Sequence, residues 1–284
     1  MAMRKKRKLY SGLLTALIWL AAGFTVGLLA VMIGYILVRG VPVITWQFLS
    51  TAPSALNDTI GILPNLLNTL YVIALSLLLV LPLGVGAAVY LNEYAQSRRL
   101  VRLIEGTVET LAAIPSIIYG LVGMLFFSNF LKLQMSLLSG CLTLVIMILP
   151  TIIRTTQESL KTVPIAYREG ALGLGATKWH TIRTLVVPCA LDGIVTGCIL
   201  AIGRIVGESA ALLFTAGLAA GAVTDIFTAY KSSGGTLAVA LYLYVSERGK
   251  FEVGFAIAAI LLLLVLLLNG AAKLAQKKLT KKQP

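Results

Sequence analysis

The sequence predicts an all-α polytopic membrane protein with six transmembrane helices and both termini in the cytoplasm, an N-in/C-in arrangement. Three observations carry this. Of 284 residues, 58% are hydrophobic and only 12% charged, whereas a soluble domain carries about 25% charged residues. The apolar residues form continuous runs, not the alternating pattern of a lipid-facing barrel strand. Lys and Arg gather on one side of those runs.

Six runs approach or exceed the length of about 20 residues that spans the hydrocarbon: residues 13–38, 66–91, 107–127, 135–153, 186–217 and 253–272. The first follows Arg4-Lys5-Lys6-Arg7-Lys8. Its 26 residues exceed the roughly 7–15 of a signal-peptide core, so it is expected to stay as a span. With the N-terminus inside, 18 of the 24 Lys and Arg fall inside, five outside, and Arg204 lies within the fifth run. That asymmetry sets the orientation. It also argues against nucleic acid as the partner of the +13 net charge, because the basic clusters are flanks of spans.

Two units are expected: residues 1–60, with the basic tail, first span and an external segment, and residues 61–284, a core of five spans with a cytoplasmic loop over 154–188. Trp46 and Phe48 in the external segment read as interfacial anchors. A second external segment, 218–252, holds Gly234-Gly235 and few charges, and both external segments are free to touch something outside. Pro82 with Gly84 and Gly86 interrupts the second run, and Pro115 the third, each read as a structural kink. Cys141, Cys189 and Cys198 lie in apolar runs without a C-x-x-C pair and read as small buried hydrophobes. His180 has no candidate co-ligand beside it, so no metal site is expected. No G-x-x-x-x-G-K-[ST] run is present, so any ATP would be bound by another chain.

Within the cytoplasmic loop, Glu169-Gly170-Ala171-Leu172-Gly173-Leu174-Gly175 is rich in small residues that permit close approach to a partner. Glu169 is expected at a helix start, where a carboxylate complements the dipole. Pro164 lies upstream, and Pro188 opens the next span, where a missing N–H costs nothing. The loop reads as a short helix suited to another protein's groove, or as one lying on the membrane.

Arg204 and Glu208 are four residues apart and expected to share a helix face. Each would cost about 2.5–3.5 kcal/mol at the bilayer centre, which directs them to the bundle interior or a water-filled path. They read either as a mutual ion pair or as a substrate contact in which the guanidinium grips an oxyanion. Glu105, Glu109 and Asp192 read as helix-start carboxylates.

The loop resembles the EAA loop of binding-protein-dependent ABC importer permeases. Glu169-Gly170-Ala171, Gly175 and Leu185-Val186-Val187-Pro188 match that pattern, with Gly170, Leu185 and Val187 departing from its Ala, Ile and Leu. The resemblance implies an ABC type I importer (MetI-like) permease fold and a coupling helix, carrying Glu169, Gly170, Ala171, Gly175 and Pro188, that rides in a cleft of an ATPase. Further stretches are similar to the phosphate-specific (Pst) permeases, the PstA type more than the PstC type. These are Gly61-Ile62-Leu63-Pro64, Tyr90-Leu91-Asn92-Glu93-Tyr94-Ala95, Ile114-Pro115-Ser116, Leu149-Pro150-Thr151-Ile152-Ile153-Arg154, and Arg204-Ile205-Val206-Gly207-Glu208-Ser209-Ala210-Ala211. This second resemblance implies a cell-membrane permease for phosphate, with Arg154, Arg204 and Glu208 along the substrate path. It implies as partners a PstC-type second permease, a PstB-type ATPase dimer holding ATP and Mg, and a PstS-type extracytoplasmic phosphate-binding protein. Membrane lipid surrounds the chain, which carries no cofactor and no catalytic residue of its own. Ser209 replaces the usual Thr and Ala211 the usual Pro, which removes one cause for a helix break after Glu208. A carboxylate at Glu208 would accept a hydrogen bond from protonated phosphate and repel fully ionised sulfate. Alternatives are a permease for another oxyanion (sulfate, molybdate, phosphonate) and an ion-coupled secondary carrier.

Overall fold

A computed structural model describes residues 2–53, 60–219 and 226–280. All regular elements among them are helical. In chain order they are α1 (Ala2–Gly40), α2 (Trp46–Ser50), α3 (Leu63–Val89), α4 (Arg98–Ala113), α5 (Ser116–Gly123), α6 (Leu137–Thr162), α7 (Ile165–Gly173), α8 (Lys178–Thr181), α9 (Val187–Cys189), α10 (Leu191–Gly207), α11 (Ala210–Thr215), α12 (Ile226–Lys231), α13 (Leu237–Tyr242) and α14 (Phe251–Thr280). Four helices are long and apolar enough to cross a membrane, and two bent pairs bring the number to as many as six.

The bent pairs correct two expected spans. The run at 107–127 is two helices: Arg98–Ala113 and Ser116–Phe130 meet at 99°. Pro115 is the cause, since it has no N–H to continue the ladder. The orphaned Leu111 carbonyl accepts from Ile114 N and from the Tyr119 hydroxyl at 2.7 Å, which staples the bend. The run at 186–217 bends by 62° between Lys178–Cys189 and Leu191–Gly207, and breaks again at Glu208, whose backbone is extended.

The core is built where α3, α6 and α10 meet, through Val72, Val80, Leu144, Met147, Ile148, Ile152, Ala201 and Ile205. Small residues allow close approach there, as is usual when lipid removes the hydrophobic drive for helix association. Gly84 faces Ile152, Gly193 faces Ser159 and Gly197 faces Thr155. The last two contacts set α10 antiparallel to α6. By contrast, α1 buries almost nothing and touches α14 near Gly40 and through Tyr35, whose ring meets Phe255 edge-on at 5.4 Å.

At one end of the bundle, Phe48, Ile62, Leu237, Tyr244 and Ile257 form a separate cluster. Phe48 is therefore a core residue at 5% exposure, not an interfacial anchor, while Trp46 is 81% exposed. The 218–252 segment is not a free external loop either. Leu237–Glu247 is a packed apolar helix, and the Gly235 carbonyl accepts from both Asn65 and Asn68. Residues 220–225 lie outside the described residues. Cys141 is buried, but Cys189 is exposed and Cys198 half-buried; Cys189 ends a helix at the bundle surface instead of sitting within a span.

Candidate functional site

The opposite, basic end of the bundle collects α7, the end of α3, the first half of α4 and the start of α10. Here α7 follows Pro164 directly and none of its residues is buried. It begins at Ile165, so Glu169 is mid-helix and does not complement the N-terminus as expected. Its end is defined by Gly175. Gly175 N donates to Leu172 O at 3.0 Å, Ala176 N donates to Ala171 O at 3.0 Å, and Gly175 has φ +85°. This pair of bonds is a Schellman motif, which needs a left-handed residue at that position. The glycine of the E-x-A-x-x-x-G spacing is thus the residue that stops the helix. Gly170 and Ala171 lie within α7, and Pro188 lies just before the 62° bend rather than at the start of the next long helix. Between α7 and that bend is a cavity of about 410 Å³, lined by Ala166, Tyr167, Gly170, Leu185, Pro188 and Cys189 among others.

Sequence reasoning missed the residues that hold α7 in place. Arg168 donates through Nη2 to Glu93 at 2.8 Å and through Nε to both Glu93 oxygens at 3.2 Å. It also donates to Val163 O at 2.8 Å and Leu160 O at 3.0 Å, carbonyls at the end of α6. Lys178 Nζ lies 5.0 Å over the Tyr94 ring. A signal existed: Glu93 is a lone carboxylate at the end of an apolar run, within the quoted Tyr90–Ala95 stretch, and such a charge needs a partner.

Arg154, on α6, pairs with Glu109 at 2.6 Å. Glu105 accepts from Gln157 at 3.3 Å and lies 4.0 Å from Lys161. Glu105 lies midway along α4 and Glu109 further on, so they are not helix-start carboxylates; they complement the cations of α6. With Glu158 they line a cavity of about 370 Å³. Asp192 does sit in the first turn of α10, and accepts from Gln276 at 3.0 Å.

Arg204 occupies the last turn of α10, where the dipole favours a cation. The expected shared face with Glu208 is absent because the helix ends at Gly207. The two do not form an ion pair. Instead Glu208, 9% exposed, accepts from Ala211 N at 3.0 Å and caps α11. The break therefore survives the loss of proline at 211, with a carboxylate satisfying the free N–H. The backbones of α5 and α11 meet at Gly120, where a Cβ would stand 2.8 Å from Ala211 Cα. Arg204 is seven residues beyond Gly197, which packs on Thr155, so it lies about 10 Å further along the bundle axis than Arg154. The structure brings Arg204 and Glu208 to one break and leaves Arg154 at a separate level. Among the described residues, no three His, Cys, Asp or Glu side chains converge as a metal site would require.

Residues 80–281 match the family described as binding-protein-dependent transport system inner membrane component. The chain is 38% identical over 212 residues to the "Probable ABC transporter permease protein YqgI" of Bacillus subtilis, covering 75% of this chain and 72% of that one. It is 31% identical over 273 residues to the phosphate transport system permease protein PstA of Pasteurella multocida, covering 94% and 95%. In fold it is similar to a chain in the crystal structure of a bacterial alginate ABC transporter in complex with alginate pentasaccharide-bound periplasmic protein, with a TM-score of 0.67, 14% identity, and 99% and 98% of the two chains covered.

Proposed function

This chain belongs to the binding-protein-dependent transport system inner membrane component family, a multi-pass permease of the cell membrane, and from that premise we propose that it is one of two permease subunits of an ATP-driven phosphate importer. The observation that carries the phosphate assignment is the similarity to PstA along 94% of the chain. The basic end, with α7, faces the cytoplasm, as the distribution of Lys and Arg supports.

In this reading α7 docks in a groove of a separate ATPase, which holds ATP and Mg and performs the hydrolysis. Exposed apolar side chains suit it to a protein surface: Ile165, Tyr167, Leu172 and Trp179 are exposed, and Leu174 is 91% exposed. Glu169, Gly170 and Ala171 present the contact face, Gly175 ends the helix and Pro188 leads into the following bend. The other partners are a PstC-type permease and a PstS-type phosphate-binding protein on the outer side.

Arg204 supplies the positive charge that draws phosphate into the path. Glu208, at the break, selects the anion by accepting its remaining proton. Arg154 lies nearer the cytoplasmic end, where Glu109 competes with the anion for its guanidinium and so favours release. Such a path needs no covalent chemistry from this chain.

Copurification tests the assignment. Tagged chain should bring down an ATPase and a second permease, and phosphate-loaded binding protein should stimulate hydrolysis by the reconstituted complex. Stimulation by sulfate- or molybdate-loaded protein instead would reassign the substrate. Transport by the purified chain alone would refute the importer reading.

A further inference from the structure

Two polar joints lie at opposite ends of α3. At the basic end, Glu93 follows α3 on a widened π-helical turn, Tyr90–Tyr94. Widened turns of this kind recur at functional positions. Glu93 receives the Arg168 fork and an additional bond from Asn92 at 2.7 Å. The side chains of Arg168 and Glu93 are only 19% and 7% exposed, so the pair is shielded from solvent and geometrically specific. At the far end, Asn65 and Asn68 donate to Gly235 O at 2.9 and 3.2 Å, and Thr69 accepts from Leu237 N at 2.9 Å. All three side chains are buried. Gly235 and the first residue of α13 hang on them.

We propose that α3 is a connecting rod, with Arg168 and Glu93 as positioning residues that transmit the stroke of α7 to Gly235 and the start of α13 at the far end, through Asn65, Asn68 and Thr69. The chain joins α7 to α6 through Val163-Pro164 and to α8 through residues 174–177, and neither connection leads directly to α3. Without the Arg168 fork, a displacement of α7 would pull directly on α6 and on the limb that runs through α8 to α10, and would reach α3 only through apolar packing. With it, the ends of α6 and α3 are gripped by one guanidinium, because Arg168 also binds Leu160 O and Val163 O. The 27 residues of α3 span about 40 Å, enough to carry that displacement across the bundle. Close packing of Gly84 on Ile152 keeps the two helices in register towards the basic end of α3. The far joint then moves Gly235 and the start of α13.

This inference rests on reading α7 as the ATPase-docking helix, and its test separates the two. The complete complex, reconstituted with its ATPase, second permease and binding protein, would be compared with a double variant, Arg168→Met with Glu93→Gln. The double change avoids leaving one buried charge alone. The variant should copurify with the ATPase and keep basal hydrolysis. Stimulation by phosphate-loaded binding protein, and phosphate uptake, should fall by about tenfold, a typical size for a lost coupling. Thr69→Val, a change of similar shape at the far joint, should reproduce that pattern with the basic end untouched. Wild-type stimulation and uptake in either variant would overturn the proposal. Loss of ATPase copurification in the double variant would also overturn it, since the clamp would then serve docking. Failure of the wild-type complex to assemble with any ATPase would instead sink the functional reading beneath it.

Discussion

Replacing Gly175 with alanine is expected to loosen the end of α7 by about 1–2 kcal/mol, the cost of holding an L-residue in the left-handed region. The structure isolates this as a backbone effect. Gly175 has φ +85°, and a Cβ placed there meets nothing within 4 Å. Gly170 is the control: it too meets nothing within 4 Å, but it lies inside α7 with ordinary helical backbone. Alanine at Gly170 should therefore stabilise the helix by about 0.5–1 kcal/mol. Hydrogen exchange measured by mass spectrometry on a peptide covering residues 170–177, in lipid nanodiscs, reads both changes. Exchange should quicken roughly 5–30-fold for Gly175→Ala and slow roughly 2–5-fold for Gly170→Ala. Gly175→Asn should recover part of the loss, because asparagine tolerates the left-handed region. If Gly175→Ala leaves exchange unchanged, or both alanines shift it in one direction, the Schellman reading of the loop is refuted.

Other expectations follow from the helix breaks. Gly120→Ala should destabilise the protein by about 1–3 kcal/mol through overpacking, since its Cβ would press on Ala211 backbone; Gly203→Ala, with open space, should leave the isolated chain's Tm unchanged or slightly raised. Tyr119→Phe removes the donor to Leu111 O, and should cost about 0.6 kcal/mol, the average for such bonds in a membrane protein; denaturant titration in mixed micelles measures it. Glu208→Gln keeps an oxygen able to cap Ala211 N, so the fold should hold while phosphate uptake falls and sulfate gains entry. Wild-type uptake with sulfate still excluded would reject the proton-reading role.

Much of the membrane architecture was legible in composition and charge. Long apolar runs predict α1, α3, α6 and α14 because lipid leaves the backbone no partner outside its own helix. The short helix α7 was legible from small residues between two apolar runs, but that Gly175 ends it was not. The breaks were not. Pro115 marks a kink from sequence, but the 99° angle depends on Tyr119 reaching back to Leu111, and on Gly120 meeting Ala211. Arg204 and Glu208 misled because an i, i+4 argument assumes a helix that here stops at Gly207. Glu105 and Glu109 misled because the start of α4 lies at Arg98, well before the apolar residues that suggested a span.

By itself the sequence determined that this chain lives in lipid, which end is basic, and where one loop is free to meet a partner. Those properties depend on residue type and local spacing, which are written along the chain. Only the tertiary structure decided that Arg168 grips Glu93 across 75 residues, that Arg154 faces Glu109, and that Asn65 and Asn68 meet Gly235. Such pairings depend on which helix ends are brought side by side. That is set by close packing of small residues over the whole bundle, and no local pattern records it.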